Sequence, residues 1–206
     1  KEFIKIFLLC VLSSLPVLFY TYLFPELLTG QHISLKAINY FLLGNLSIMF
    51  ITIFPIIMIN IIYKNIDLKK TIIPILVSFI TILILSINFE PVSWKGGGVN
   101  FMVSKKIFNN NIYFYFTSFF TLSSFIYIIT EKKENFIILV ILTFMFFSMQ
   151  VYQRYYEPMF FIIFFTLIKT KLIDIFLRKF SASLCLLLYF VAYYIISISD
   201  LVYKFN

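Results

Sequence analysis

The stretch QVYQRYYEPMFF, Gln150 to Phe161, interrupts a chain rich in Ile, Leu and Phe with side chains able to hold a charged ligand. Arg154 carries a planar fork of donors that matches phosphate or carboxylate oxygens. Tyr155 and Tyr156 bring amphipathic rings that suit a membrane interface, or stacking on a sugar or an isoprenoid. Glu157 and Gln150 add an acceptor and an amide. The competing reading is an Arg–Glu pair between interfacial tyrosines, and residue types weigh the two evenly. Pro25-Glu26, Glu90-Pro91 and Glu157-Pro158 recur where apolar runs meet the same side. Proline in a first helical turn, with an acid at the positive end of the dipole, accounts for Glu157-Pro158 as capping. Glu90 follows an apolar run, where the dipole disfavours an acid, and needs another reason.

A second candidate lies between Glu90 and Asn111. Trp94, the single tryptophan, is followed by Lys95 and by Gly96, Gly97 and Gly98. Glycines allow close backbone approach to a ligand, and successive N–H groups can cradle an anion. Lys-Ser/Thr does not follow at the spacing of a nucleotide-binding loop, which excludes that motif. The adjoining VNFMVSKKIF predicts a short interfacial helix, with Val99, Met102, Val103 and Phe108 on one side and Lys105 and Lys106 on the other. A plain flexible linker is the alternative. The chain has no HExxH or Cys/His metal set, and His32 reads as a solvated loop residue. Cys10 and Cys185 fall in apolar runs and are expected to be buried thiols without a disulfide.

The elements that must position these residues are set by composition. Of 206 residues 62% are hydrophobic and 13% charged, against about 45–50% and about 25% in soluble domains. Runs of roughly 18 or more apolar residues read as membrane spans. A β-barrel, with its alternating strands, is excluded. The expectation is an all-α polytopic transmembrane bundle in one domain, 1–206. Seven spans are predicted near residues 4–24, 37–63, 71–89, 112–130, 136–152, 156–168 and 181–203. The sixth has room to continue through KLIDIFLRKF.

Lys36, Lys95, Lys105, Lys106, Arg154 and Lys204 fall on one side, and the other basic residues, including Lys1 and Lys5, on the opposite side. The excess marks the cytoplasmic side, so the N-terminus is expected in the cytoplasm and the candidate loops outside it, as in a bacterial plasma membrane. The net charge of +8 follows from that asymmetry and from anionic headgroups, so nucleic acid is not an expected partner. The loops YKNIDLKKT and EKKEN read as plain stop signals. Asn39, Asn45, Asn88, Gln150 and Asp200 lie towards the outer ends of spans. They fit a polar outward cavity, or helix–helix adhesion one by one.

Arg154-Tyr155-Tyr156-Glu157-Pro158 fits an R-Y-x-x-P pattern that opens a late span. It resembles a stretch of the multipass glycosyltransferases of the GT-C superfold, over about residues 136–168. The resemblance implies an extracytoplasmic cavity and a polyprenyl-phosphate-linked sugar. Arg154 would hold the lipid phosphate, and Trp94, Lys95, the glycines and Lys105 would belong to the substrate wall. The family's acidic residue in the first outer loop has only Glu26 as a counterpart here. Either Glu26 or Glu90 serves as base, or the catalytic half lies upstream of Lys1. Any divalent metal ion would then be held by residues outside this segment. The rival classes are a lipid-linked sugar flippase, polysaccharide polymerase or transporter subunit, and a structural subunit with a protein partner.

Overall fold

The structure, a computed structural model, describes residues 35–87, 89, 98–144 and 153–205, with side chains placed for 39–87, 89, 98–143 and 157–195. Helix is the only regular secondary structure among the described residues. The helices are α1 (Leu35–Ile62), a 3-10 turn (Leu68–Thr71), α2 (Ile72–Ile87), α3 (Gly98–Lys106), α4 (Ile112–Glu131), α5 (Asn135–Phe144), α6 (Gln153–Thr166), α7 (Lys171–Arg178) and α8 (Phe180–Phe205). Helix is the form an isolated segment must take in lipid, because it satisfies its backbone polar groups internally.

α1 is the central helix. It is 28 residues long, and 78% of its apolar window is buried within the protein. One core cluster surrounds Met49, Ile53 and Ile56 of α1 with Ile128, Leu142, Phe160, Phe164 and Leu172. A second gathers Tyr40, Leu43, Ile82, Phe101 and Phe114. Small polar residues let α4 approach α1 closely. Ser47 and Thr117 hydroxyls meet at 2.8 Å, and Ser118 Oγ donates to the Leu43 carbonyl at 2.9 Å. α2 packs on α4 through Pro74, Ser78 and Ile82; only 17% of its window is buried. Its remaining apolar surface is what a lipid-facing helix requires.

α1, α2 with its 3-10 turn, and α4 are long and apolar enough to cross a membrane. α7 and α8 together make a fourth if counted as one broken span, bent by 102°. The protein is membrane-embedded. α5 and α6 are helical where the fifth and sixth spans are expected, over 10 and 14 described residues. The expected first span lies outside the described residues.

Two further expectations change. KLIDIFLRKF does not prolong the sixth span: α6 ends at Thr166, and Thr170 caps a new helix, its Oγ1 accepting from the Leu172 N–H at 3.2 Å. α7 then buries Leu172, Ile173, Ile175 and Phe176, an amphipathic pattern that holds it against the bundle. α3 is present where the short helix is expected. Val99 and Met102 are exposed, whereas Asn100, Phe101 and Ser104 are buried. Phe101 packs edge-on against Phe114 at 5.1 Å, and the Asn100 amide donates to the Ser47 carbonyl at 2.6 Å. Cys185 is a free thiol, exposed where a buried one was expected; Cys10 lies outside the described residues.

The basic loops have more structure than stop signals need. Asn135 donates to the Lys169 carbonyl at 2.9 Å and accepts from the Lys169 N–H at 3.0 Å. Glu131 accepts from Thr170 Oγ1 and from the Lys171 N–H. Asn65 donates to the Lys171 carbonyl at 3.2 Å. The loops after α1, α4 and α6 therefore share one face.

Candidate functional site

α6 begins at Gln153, so Arg154, Tyr155 and Tyr156 occupy its opening turns and Pro158 lies inside the helix. The simple capping account of Glu157-Pro158 is thereby revised, because both residues fall after the first turn. Proline has no N–H to give to the carbonyl four residues back, that of Arg154, and its ring crowds that carbonyl. Glu157 is half-buried, and both carboxylate oxygens face the Tyr193 hydroxyl of α8, which donates at 3.0 and 3.3 Å. This pair joins α6 to α8.

The pair closes one end of a cavity of about 650 Å3 between the two helices. Pro158, Phe161 and Ile162 of α6 face Leu186, Leu187, Phe190 and Tyr194 of α8, with Thr52 of α1 and Ser183 completing the wall. Phe161 and Phe190 meet edge-on at 5.3 Å. The lining is overwhelmingly hydrocarbon, with polar groups at Glu157, Tyr193, Thr52 and Ser183. Such a groove can hold an apolar chain while a carboxylate at its end accepts a hydrogen bond from, or exchanges a proton with, a polar group.

Thr52 lies near the middle of the α1 span, about 15 Å from the Ile62 end and about 20 Å from Asn39 at 1.5 Å per residue. Glu157 lines the same cavity as Thr52. Sequence reading expected the cluster at or just below the headgroups. An ionisable group among membrane-spanning helices is costly, and characteristically marks a functional position.

Of the residues expected to form the site, Glu157 lines this groove. Arg154, Tyr155 and Tyr156 start the same helix less than two turns earlier, with side chains outside the described set. Glu26, Glu90, Trp94, Lys95, Gly96, Gly97 and Gln150 lie outside the described residues. Gly98 opens α3 with φ of 73°, a left-handed conformation natural to glycine. Lys105 lies in the last turn of α3, its ammonium 6.0 Å from the centre of the Phe101 ring. Neither Gly98 nor Lys105 lines the groove.

Asn39 and Asn45 act between helices. Asn39 donates to the Leu85 carbonyl at 3.3 Å and Asn45 to the Thr143 carbonyl at 2.8 Å. The residues that sequence reasoning missed are Tyr193, Thr52 and Ser183. The available signal was Tyr193 itself, a hydroxyl inside the apolar run LYFVAYYII. No protein-family model, curated protein or solved structure matches this chain.

Proposed function

We propose that the α6/α8 groove holds the hydrocarbon chain of a polyprenyl-phosphate-linked sugar, and that the protein is a membrane glycosyltransferase acting on that lipid. The observation that carries this reading is the hydrocarbon-lined cavity closed by the Glu157–Tyr193 pair at the start of the Arg-Tyr-Tyr-Glu-Pro helix. An isoprenoid chain matches the lining. Arg154, less than one turn before Glu157, supplies the guanidinium that a departing lipid phosphate requires. In an inverting transfer, a carboxylate takes the proton of an acceptor hydroxyl as its oxygen bonds to the anomeric carbon. The bond from that carbon to the phosphate oxygen breaks, and the phosphate leaves with the electron pair. Glu26 and Glu90 are the base candidates on this reading. Seven crossings, a cytoplasmic N-terminus and action at the extracytoplasmic face of a bacterial plasma membrane belong to the same proposal.

The Glu157 carboxylate on the wall of a groove between membrane helices favours one alternative, movement of a lipid-linked sugar across the membrane without transfer. A carboxylate there can hold a polar headgroup in passage. Reconstitution in vesicles separates the two. With a radiolabelled polyprenyl-phosphate sugar, the transferase reading expects label on a water-soluble or lipid acceptor, lost in Arg154→Ala while membrane insertion persists. Wild-type transfer by Arg154→Ala removes the phosphate role. Flipping of the labelled lipid with no transfer replaces the enzyme with a carrier. Failure of the purified protein to retain any polyprenyl phosphate sinks both.

A further inference from the structure

The face that carries the basic loops holds a second cavity, of about 340 Å3, with different chemistry. Tyr63 and Asn65 form one wall, and Lys171, Asp174, Arg178 and Lys179 the other. Lys171, Asp174 and Arg178 recur at the spacing of one helical face, opposite the apolar face that α7 packs into the core. Three cations thus share the cavity with one carboxylate. Among the described residues, Asp174 forms no ion pair within 4 Å with any of them.

The walls are held in place. Lys179 Nζ stands 4.4 Å from the centre of the Tyr63 ring, and the Tyr63 hydroxyl is hydrogen-bonded to Ser181 at 2.6 Å. Asn65 is tied to the Lys171 carbonyl and, at 2.7 Å, to Asn60 Oδ1. The site is therefore preorganised on its neutral side and electropositive on the other.

We infer that this cavity binds the phosphate of an anionic membrane phospholipid. A guanidinium and two ammoniums around a concave polar surface suit a phosphate oxyanion. The surroundings select a lipid as its source. Leu177 and Phe180, each 82% exposed, flank Arg178 and Lys179, so apolar side chains and cations emerge together, as they do where headgroups meet acyl chains. The exposed face of α8 continues from there through Leu184 and Leu188. α7, bent 102° from α8, lies across the membrane normal when α8 runs along it. The phosphate sits in the cavity and its acyl chains follow α8. This inference stands apart from the glycosyl-transfer reading, since it concerns other residues and another ligand.

The test uses the full chain in nanodiscs of phosphatidylcholine, with and without phosphatidylglycerol, and counts by native mass spectrometry the phosphatidylglycerol retained after release. The wild type is expected to retain it. Arg178→Gln/Lys179→Gln is expected to weaken retention roughly five-fold per charge removed, from the worth of a basic residue at an anionic surface. Lys132→Gln/Lys133→Gln removes equal charge from the same face outside the cavity and is expected to leave retention unchanged. Should the cavity double variant fail to fold, Arg178→Gln alone, at an exposed position, gives the same comparison. Equal retention by cavity variant and wild type overturns the site, and so does an equal loss in the Lys132/Lys133 control. Inorganic phosphate, added to phosphatidylcholine discs, is expected to raise the melting temperature less than phosphatidylglycerol does. An equal rise makes the ligand free phosphate and overturns the lipid assignment.

Discussion

Removing one oxygen atom, in Tyr193→Phe, tests whether the α6/α8 pair is an organised feature of the groove. The phenol faces both oxygens of Glu157, at 3.0 and 3.3 Å. A hydrogen bond to a charged acceptor contributes about 1.5–3 kcal/mol. Glu157 is half-buried, which places this bond at the lower end. A loss of about 1.5 kcal/mol is roughly a ten-fold shift in the unfolding equilibrium. Both residues make further contacts, so each single variant will also report losses unrelated to the pair. The double-mutant cycle with Glu157→Gln isolates what they share. The assay is equilibrium unfolding by denaturant in mixed micelles, for the wild type, the two single variants and the double. The expected coupling is about 1–1.5 kcal/mol. A coupling within about 0.3 kcal/mol of zero would mean that the pair is only proximity, and the argument for an organised groove end would fail with it.

Asn60→Leu should destabilise the protein by about 2–3 kcal/mol, because it strands partners that the fully buried amide now serves. Asn60 donates to the Leu172 carbonyl at 3.0 Å and accepts from Asn65 at 2.7 Å. Hydrogen exchange should rise first in α7, and unchanged protection there would refute the role. Ser78 Oγ is buried without a hydrogen-bond partner among the described residues. Ser78→Ala should therefore be neutral within about 0.5 kcal/mol, while Ser78→Leu, forcing α2 from α4, should cost about 1–3 kcal/mol in thermal or denaturant unfolding. The Lys169 ammonium, 3.0 Å from Glu134, holds that carboxyl below its ordinary value of about 4.5. A depressed carboxylate adds stability that is complete above the unfolded value and lost as pH falls through the folded one. The pair is exposed, so the effect should be small; Glu134→Gln should flatten the acid side of the stability profile and leave neutral pH nearly unchanged.

The positions of the helices are legible in the sequence because lipid leaves the backbone no other partner and a crossing has a minimum length. α1, α2, α4 and α8 form within a few residues of where the apolar runs predict them. Polar residues also identified the Arg154–Glu157 cluster as the opening of a helix. The break after α6 was harder to see, since four residues separate it from α7, which starts at a Thr170 side-chain cap, and KLIDIFLRKF resumes the apolar pattern.

What the sequence could not determine is which faces are inside. α1 and α2 are equally apolar, yet 78% of one window is buried and only 17% of the other. In lipid, hydrocarbon outside and hydrocarbon inside place the same demand on composition, so periodicity loses its power to tell them apart. The choice fell to steric fit and to hydrogen bonds between distant residues. Ser47 with Thr117 draws α4 onto α1, Asn65 with Lys171 seats α7 beneath them, and Tyr193 meets Glu157 from 36 positions away. Residue types announced a carboxylate and an arginine beside a membrane. Only packing set that carboxylate against a phenol, on the wall of a hydrocarbon groove.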